Sequence, residues 1–266
     1  MQNLPANSLR SAFSLLEIII VLTVISTLMV VMISSKRILA DGQIKLLAKE
    51  VANIQNITDN FVVIYEQLPG DFNRASFHWS SFAANCTNAA APSGCNGDND
   101  GVIETYNESY RFWQHLYLAG LVTNEFTGIA GSGVEASDPF STSSNSPVSK
   151  FSENALFFIG SIYDSDKFEP PYGNRIYLDK TVFGYFRSKK GILTAEDALA
   201  FDIKFDDAKP RTGRINAETY YNLDNNQASP YCTTLGSSGS LVYATRIADT
   251  YNTATDQRVC RLIFKF

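Results

Sequence analysis

Histidine is scarce in this sequence, and so are the short signatures of catalysis. The only histidines among the 266 residues are His78 and His115, which leaves two positions for an imidazole base. Neither GxSxG, nor HExxH, nor a phosphate-binding loop occurs. We therefore predict that the chain is not an enzyme. A hydrolase that uses two carboxylates stays open, because distances between side chains are not readable from a sequence.

A surplus of positive charge is also missing. The 22 basic residues are outnumbered by 27 acidic ones, and the net charge is −5. Proteins that bind nucleic acid usually concentrate positive charge, so no nucleic-acid partner is predicted. With 45% hydrophobic and 18% charged residues, the composition is typical of a folded body joined to one apolar segment.

The four cysteines lack the spacing of a zinc site. They form two pairs that are local in the sequence, Cys86 with Cys95 and Cys232 with Cys260, with no CxxC spacing and no nearby histidines. If the body is exported, two disulfides are the economical interpretation, and we expect local pairing. Four cysteines nevertheless permit three connectivities, and the sequence does not choose among them.

One long apolar run lies near the amino terminus, at Phe13–Ile33, and Glu17 is its single charge. A helix of about 21 residues rises about 31 Å and can span a bilayer. The run ends in Ser34–Arg37 and not in a small-residue cleavage site, which argues against a cleaved secretory signal. Arg10 is the only charge before the run, which fits a cytoplasmic amino terminus.

Glu17 needs an explanation, because an acid inside a spanning helix costs about 2.5 to 3.5 kcal/mol on insertion scales. If the chain is cut between Ala12 and Phe13, Glu17 becomes the fifth residue of the new chain. Its carboxylate can then pair with the amino terminus of a neighbouring subunit, which offsets the burial of both charges. The alternative is that Glu17 lies at the edge of the membrane and that its side chain extends to the aqueous interface.

The residues AFSLLEIIIVLTVIS, which start at Ala12, resemble the amino-terminal motif of type IV pilins and type II secretion pseudopilins. That motif is a short polar leader that ends in a small residue, then phenylalanine, then an acid five residues into the mature helix. The resemblance implies that a prepilin peptidase cuts after Ala12, that Phe13 is the mature and N-methylated first residue, and that Glu17 is the assembly acid. It implies an α+β, pilin-like fold, in which a long amino-terminal helix packs on a carboxy-terminal antiparallel sheet domain with disulfides.

The same resemblance implies a location and partners. The expected location is the bacterial inner membrane, crossed once with the body in the periplasm, and then a type IV pilus or a type II secretion pseudopilus. The expected partners are other pilin-like subunits, the prepilin peptidase and the inner-membrane assembly platform. A body larger than that of a lean major pilin favours a minor or tip subunit. The alternative function is a membrane-anchored periplasmic binding module that does not polymerise.

Four segments follow from these observations. Residues 1–12 are predicted to be the leader, 13–35 the transmembrane and assembly helix, 36–67 its amphipathic continuation, and 68–266 the globular domain. The continuation is predicted from apolar residues that recur every three or four positions, namely Ile44, Leu47, Val51, Ile54, Ile57, Phe61 and Tyr65. Pro69 and Gly70 are expected to end the helix.

The stretch CNGDNDGVIETYNE, which starts at Cys95, has the pattern of a cation-binding loop. Oxygen-bearing side chains alternate, and Gly101 permits the sharp turn that a calcium loop needs. The stretch resembles the first half of an EF-hand-type loop. The predicted calcium ligands are Asn96, Asp98, Asp100, the carbonyl of Val102, and either Glu104 or Glu108. The alternative is a turn without metal, closed by a Cys86–Cys95 bridge.

The rest of the chain predicts two short helices and several strands. ESYRFWQHLYLAGLV, from Glu108, is predicted to be a helix in which His115 has a structural role. A second helix is expected after Thr194, with Asp197 completing a capping-box-like start. Strands are predicted for ALFFIGSIY, RIYLD, TVFGYF, LVYATRI and RVCRLIFKF. A cluster of three acids, Asp202, Asp206 and Asp207, is expected to be solvated, and a second cation is the alternative.

Overall fold

The structure is a computed structural model that describes residues 14–81, 86, 94–104, 108–129, 145–152, 155–161, 173–180, 191–219, 232–234, 250–254 and 258–266, without the side chains of 33–40, 179–180 and 219. The chain divides into two compact units, Met1–Ile44 and Lys45–Phe266. In chain order the elements are α1 (Leu15–Tyr65), α2 (Ala75–Trp79), α3 (Glu108–Leu118), β1 (Ala155–Ser161), β2 (Asn174–Lys180), α4 (Ala195–Phe205), β3 (Ile215–Thr219) and β4 (Cys260–Lys265). The cleavage site predicted at Ala12 and Phe13 and the strands predicted at 181–186 and 241–247 lie outside the described residues.

Helix α1 begins beside the acid of the apolar run. Ser14 caps it, because the Ser14 Oγ accepts the N–H of Leu16 at 3.3 Å and the Ser14 carbonyl accepts the N–H groups of Glu17 and Ile18. Glu17 therefore lies in the first turn, where the helix dipole favours a negative charge.

The apolar part of α1 is long enough to span a membrane. The segment Leu15–Met32 passes that test by length and composition, and none of it is buried within the protein. Its hydroxyl groups are satisfied inside the helix, since Thr23, Ser26 and Thr27 each donate to a carbonyl three or four residues earlier. Glu17 is the one charged side chain that remains in this segment.

The later part of α1 has the buried stripe that the periodicity predicts. Leu47, Val51, Ile54 and Phe61 are at most 6% exposed. Between residues 54 and 61 the buried positions differ from the prediction. Thr58 is buried in the stripe, whereas Ile57, which was predicted to belong to it, is only half-buried. The hydroxyl of Thr58 donates to the carbonyl of Ile54 at 2.8 Å, which satisfies it without a partner outside the helix.

The turn after α1 brings its end against α3. The helix ends at Tyr65, and Gly70 adopts a φ of +90°. A Cβ at Gly70 would lie 2.7 Å from the carbonyl oxygen of Glu108, so the close approach to the start of α3 requires glycine. Rings pack around this turn, with Phe61, Phe72 and Trp79 in mutual contact at centroid distances of 5.6 to 6.4 Å.

The sheet has four strands in the order β1-β2-β4-β3, and all neighbouring strands are antiparallel. On one face of the sheet the ring of Phe264 contacts the ring of Phe201 in α4, with the ring centroids 5.8 Å apart. On the other face Tyr110 of α3 joins a buried cluster with Phe158, Tyr177 and Ile263. Both faces are therefore covered, which explains why the strands are apolar in continuous runs and do not alternate.

The α+β class, the antiparallel sheet and both local disulfides are confirmed. The bridges are Cys86–Cys95 and Cys232–Cys260. Helix α3 begins at Glu108 as predicted, and α4 begins after Thr194, whose side chain accepts the N–H of Asp197 at 3.1 Å. Two elements, α2 and β3, were not predicted from the sequence.

Candidate functional site

The candidate site is the acidic loop, defined here as residues 96–104. Backbone hydrogen bonds tie the loop to the turn after α1, since the Gly97 N–H donates to the Phe72 carbonyl at 2.9 Å and the Asn99 N–H to the Asp71 carbonyl at 3.1 Å. A Cβ at Gly97 would lie 2.3 Å from the backbone of Asp71. The two segments therefore approach more closely than any larger residue would permit.

Asp71 holds the loop from inside. Its Oδ1 accepts the N–H groups of Asn99 and Asp100, and its Oδ2 accepts the N–H of Gly101 at 2.8 Å. Three consecutive amide groups thus form an anion-binding concavity that this buried carboxylate fills. Burial raises the pKa of Asp71, against the lowering effect of the donated hydrogen bonds. No pattern in the sequence indicated Asp71, which lies about 28 residues before the amides that it binds.

Two acids of the loop shape its turns. The Oδ1 of Asp98 accepts the Asp100 N–H at 3.1 Å, and the Oδ1 of Asp100 accepts the Val102 N–H at 2.7 Å. These are Asx turns, in which a carboxylate replaces a backbone acceptor. Both acids are exposed, so their remaining oxygens face solvent.

Glu108 closes the loop at the start of α3. Its Oε1 accepts the Asp98 N–H at 3.0 Å and its Oε2 accepts the Glu104 N–H at 3.3 Å. The side chain is buried, and burial together with a hydrogen bond to the Glu104 carboxyl raises the pKa of Glu108 to about 9. The raised pKa favours the protonated form of Glu108 at neutral pH.

The acids form two groups with the geometry of a cation site. Asp71, Asp98 and Asp100 each offer an oxygen within 4.8 Å of the others, and so do Asp98, Glu104 and Glu108. Ligands of one calcium ion lie 2.3 to 2.6 Å from it, so oxygens at most about 5 Å apart can share one. Both oxygens of Asp71 in the first group and both oxygens of Glu108 in the second already accept N–H groups, so the two groups are alike in this respect.

Asn96 and the Val102 carbonyl complete the predicted ligand set. The Asn96 Oδ1 accepts the Ser76 N–H at 2.8 Å, and its Nδ2 donates to the Ser76 Oγ at 3.1 Å. Asn96 therefore anchors the loop to α2. Ligation by Asn96 and by Val102 stays a prediction.

His115 is a structural residue. It is fully buried, its Nδ1 accepts the Gly70 N–H at 2.9 Å, and its Nε2 donates to the Cys95 carbonyl at 2.7 Å. Burial lowers the pKa of His115 to about 3, which keeps the ring neutral. Both nitrogens have partners, so the ring joins the Cys86–Cys95 bridge to the turn after α1.

The second acidic cluster is satisfied by protein donors. Asp202 is buried and accepts the hydroxyl of Tyr251 at 2.7 Å and the N–H of Ala208 at 3.2 Å. Asp206 accepts the N–H groups of Arg214 and Ile215. Burial raises the pKa of Asp202 to about 6. The oxygens of Asp202, Asp206 and Asp207 lie close enough to share a cation, and Asp202 is not the solvated turn acid that the sequence predicts.

Comparison with the profiles of known protein families, with curated proteins and with solved structures found no match for this chain.

Proposed function

We propose that the chain is a structural subunit of a type IV pilus or of a type II secretion pseudopilus. The observation that carries the proposal is Glu17, a lone acid five positions after Ala12 in the first turn of α1, within the apolar segment Leu15–Met32 that has no buried residue. A helix of this kind needs an apolar environment, and its acid needs a positive charge in that environment.

The assembly mechanism follows from these two needs. A prepilin peptidase in the inner membrane removes residues 1–12 and leaves a charged amino group on Phe13. Once the assembly platform brings subunits together, the Glu17 carboxylate of one subunit pairs with the Phe13 amino group of its neighbour. The pairing sets the axial register, while the apolar side chains around it form the filament core. The size of the body favours a minor or tip subunit.

Mass spectrometry of the purified protein tests the proposal. In a host that has prepilin peptidase, the expected amino terminus is Phe13, with the mass of one added methyl group. The matched control is the same chain in a strain without the peptidase, where residues 1–12 remain. An intact Met1 in the competent host would contradict the proposal.

We also propose that the acidic loop binds one calcium ion through Asp98, Glu104 and Glu108. Two observations support this proposal. The three acids each offer an oxygen within 4.8 Å of the others, and the pKa of Glu108 is raised to about 9, so Glu108 keeps a proton at neutral pH. A cation bound among these oxygens would replace that proton. Calcium would neutralise three carboxylates without that proton, and would fix the start of α3.

Isothermal titration with calcium tests this second proposal. Binding is expected to release protons, so the measured heat should depend on the ionisation enthalpy of the buffer between about pH 5 and pH 8. Glu104→Gln should abolish the heat, and Glu196→Gln, which changes an exposed acid in the first turn of α4, should leave it unchanged. If calcium gives the wild-type chain neither heat nor a change in melting temperature, the loop is a metal-free turn.

A further inference from the structure

An apolar groove lies between α1, α4 and the edge of the sheet at β3 and β4, within the unit Lys45–Phe266. Its volume is about 200 Å³, and seven of the ten residues that line it are apolar. Three of them are rings in contact, because the centroid of Phe201 lies 4.9 Å from that of Phe205 and 5.8 Å from that of Phe264. Ala52 and Phe205 are exposed, so the groove is open to solvent.

The polar residues of the groove lie together. They are Gln55, Arg214 and Lys265. The Gln55 Nε2 donates to the Lys265 carbonyl at 2.9 Å, and the Lys265 N–H donates to the Arg214 carbonyl at 2.9 Å. The groove is therefore amphipathic, with an apolar body and one polar end.

The polar end carries positive charge. Arg214 is exposed, and its guanidinium makes no ion pair within the part of the chain that the structure describes. The Asp206 Oδ2 is held by the backbone, since it accepts the N–H groups of Arg214 and Ile215. None of the described residues that line the groove is acidic, although the chain as a whole has a net charge of −5. The charge of this end is complementary to an anion.

The volume of the groove limits the size of the apolar part of a ligand. An apolar cavity of about 150 Å³ can hold a benzene ring, so this groove has room for one ring and a linker of about two carbon atoms. Aromatic rings pack edge to face or offset at centroid distances of about 4.5 to 7 Å. The rings of Phe201, Phe205 and Phe264 can make such contacts with a fourth ring.

We propose that the groove binds a small aromatic carboxylate, an acid with one six-membered ring on a short linker. The ring lies among Phe201, Phe205 and Phe264, and the carboxylate pairs with the guanidinium of Arg214, whose planar fork matches a carboxylate. This ligand site goes beyond the proposed function, and it does not depend on polymerisation of the chain.

Protection of an introduced thiol tests the site, with 3-phenylpropanoate as the probe. All four cysteines of the chain are in disulfides, so Ala52→Cys places one reactive thiol in the groove. A ligand of this size is expected to have a Kd of about 1 mM, so at about 10 mM it should slow alkylation of this thiol by iodoacetamide about tenfold. The matched control is Asn53→Cys, whose thiol is exposed on α1 outside the groove and should react at an unchanged rate.

Two comparisons test the carboxylate pair. In the Ala52→Cys chain, Arg214→Gln should reduce the protection from about tenfold to about threefold, because an exposed ion pair is lost. The neutral amide 3-phenylpropanamide should protect the original Ala52→Cys chain to the same lower extent. Arg74→Gln, which changes an exposed arginine outside the groove, should leave the protection by the acid at about tenfold.

The wild-type chain provides a measurement without any variant. The acid at about 10 mM should raise the melting temperature by about 3 °C, and the amide by about half as much. If the acid neither protects the thiol at position 52 nor raises the melting temperature, the groove does not bind it. Equal protection of the thiols at positions 52 and 53 would show an effect outside the groove. Equal effects of the acid and the amide would show that Arg214 does not recognise a carboxylate, and the assignment of an acid would then be wrong.

Discussion

Two stretches of α1 have the same secondary structure and opposite relations to their surroundings. Leu15–Met32 has no buried residue, whereas the stretch from Leu47 to Phe61 has a stripe of side chains that are at most 6% exposed. The helical backbone satisfies its own hydrogen bonds in both stretches. The two stretches differ in whether their apolar side chains are buried within the protein. Only the second stretch buries apolar side chains within its own unit of the chain.

This difference in burial predicts how the two stretches respond to mutation. In the first stretch, a substitution should act on insertion and assembly and leave the stability of the folded body unchanged. In the second, a substitution on the stripe should act on stability. Substitutions in the two stretches test this separation, and we take them in decreasing order of magnitude.

The largest effect is expected for Glu17. Glu17→Leu should insert in the membrane better than the wild type, by less than the roughly 2.5 to 3.5 kcal/mol that a charge costs at the centre of a spanning helix, because Glu17 lies near one end of the segment. Incorporation into sheared filaments should nevertheless fall by about tenfold or more, because the neighbour's amino group stays buried without its partner. The measurement is the ratio of filament-bound to membrane-bound protein.

Thr23→Val is the control for Glu17. The Thr23 hydroxyl donates to the Ile20 carbonyl within the helix, so its loss should leave assembly unchanged. Filaments of normal yield from Glu17→Leu would contradict the role of the acid.

The second effect is the loss of a buried ring on the stripe. Phe61→Ala should lower the free energy of unfolding by about 3 to 5 kcal/mol, because Phe61 is fully buried among Phe72, Trp79 and Tyr65. Urea denaturation of the detergent-solubilised chain, followed by tryptophan fluorescence, measures it. Both tryptophans, Trp79 and Trp113, are buried.

The control lies two residues away on the same helix. Val63 is 81% exposed, and Val63→Ala should change the free energy of unfolding by no more than about 0.5 kcal/mol. Equal losses from the two substitutions would show that the stripe is not what stabilises the second stretch.

The third effect depends on pH and concerns Glu108. The pKa of Glu108 is raised to about 9 in the folded protein, so the folded chain binds a proton that the unfolded chain releases. The stability is therefore complete below about pH 4.5 and is lost as the pH rises through 9, by at least about 1 kcal/mol without calcium. Melting temperatures measured across this range in a chelator test it.

Glu108→Gln supplies the comparison for this titration. The amide keeps acceptor and donor atoms at the same place without ionising, so the fall in melting temperature above pH 5 should shrink. Calcium should have the same effect on the wild-type chain, because it stabilises the ionised carboxylates. A melting temperature that rises from pH 5 to pH 9 in the chelator would contradict the raised pKa.

Periodic and capped elements were predictable because their signals are local. The recurrence of Leu47, Val51 and Ile54 predicted the stripe of α1, and Thr194 with Asp197 predicted the start of α4. The pairing of Cys86 with Cys95 followed from its short separation. In each case the residues that decide the structure lie within about ten positions of each other.

The elements that were missed depend on distant partners or carry weak signals. Asp71 binds amides that lie about 28 residues later in the chain and are close to it only in the folded structure. Helix α2 has five residues and no side-chain cap, so no periodicity can identify it. Strand β3 has the sequence INAET, and its Asn216 is fully buried because the sheet is covered on both faces. An alternating polar residue ordinarily predicts an exposed face, so the pattern alone was uninformative.

The smallest effect separates the two helix starts. Ser14 caps α1 and Thr194 caps α4, each through a side-chain oxygen that accepts a backbone N–H. Thr194→Ala should lower the free energy of unfolding by about 1 kcal/mol, because the Asp197 N–H loses its acceptor in a helix that unfolds together with the body. Ser14→Ala should leave the urea midpoint unchanged, because the segment that it caps has no buried residue. Thr194→Ser, which keeps the hydroxyl, is the control. An equal shift of the midpoint by Ser14→Ala would show that the amino-terminal stretch of α1 unfolds together with the body, and the separation between the two stretches would then be wrong.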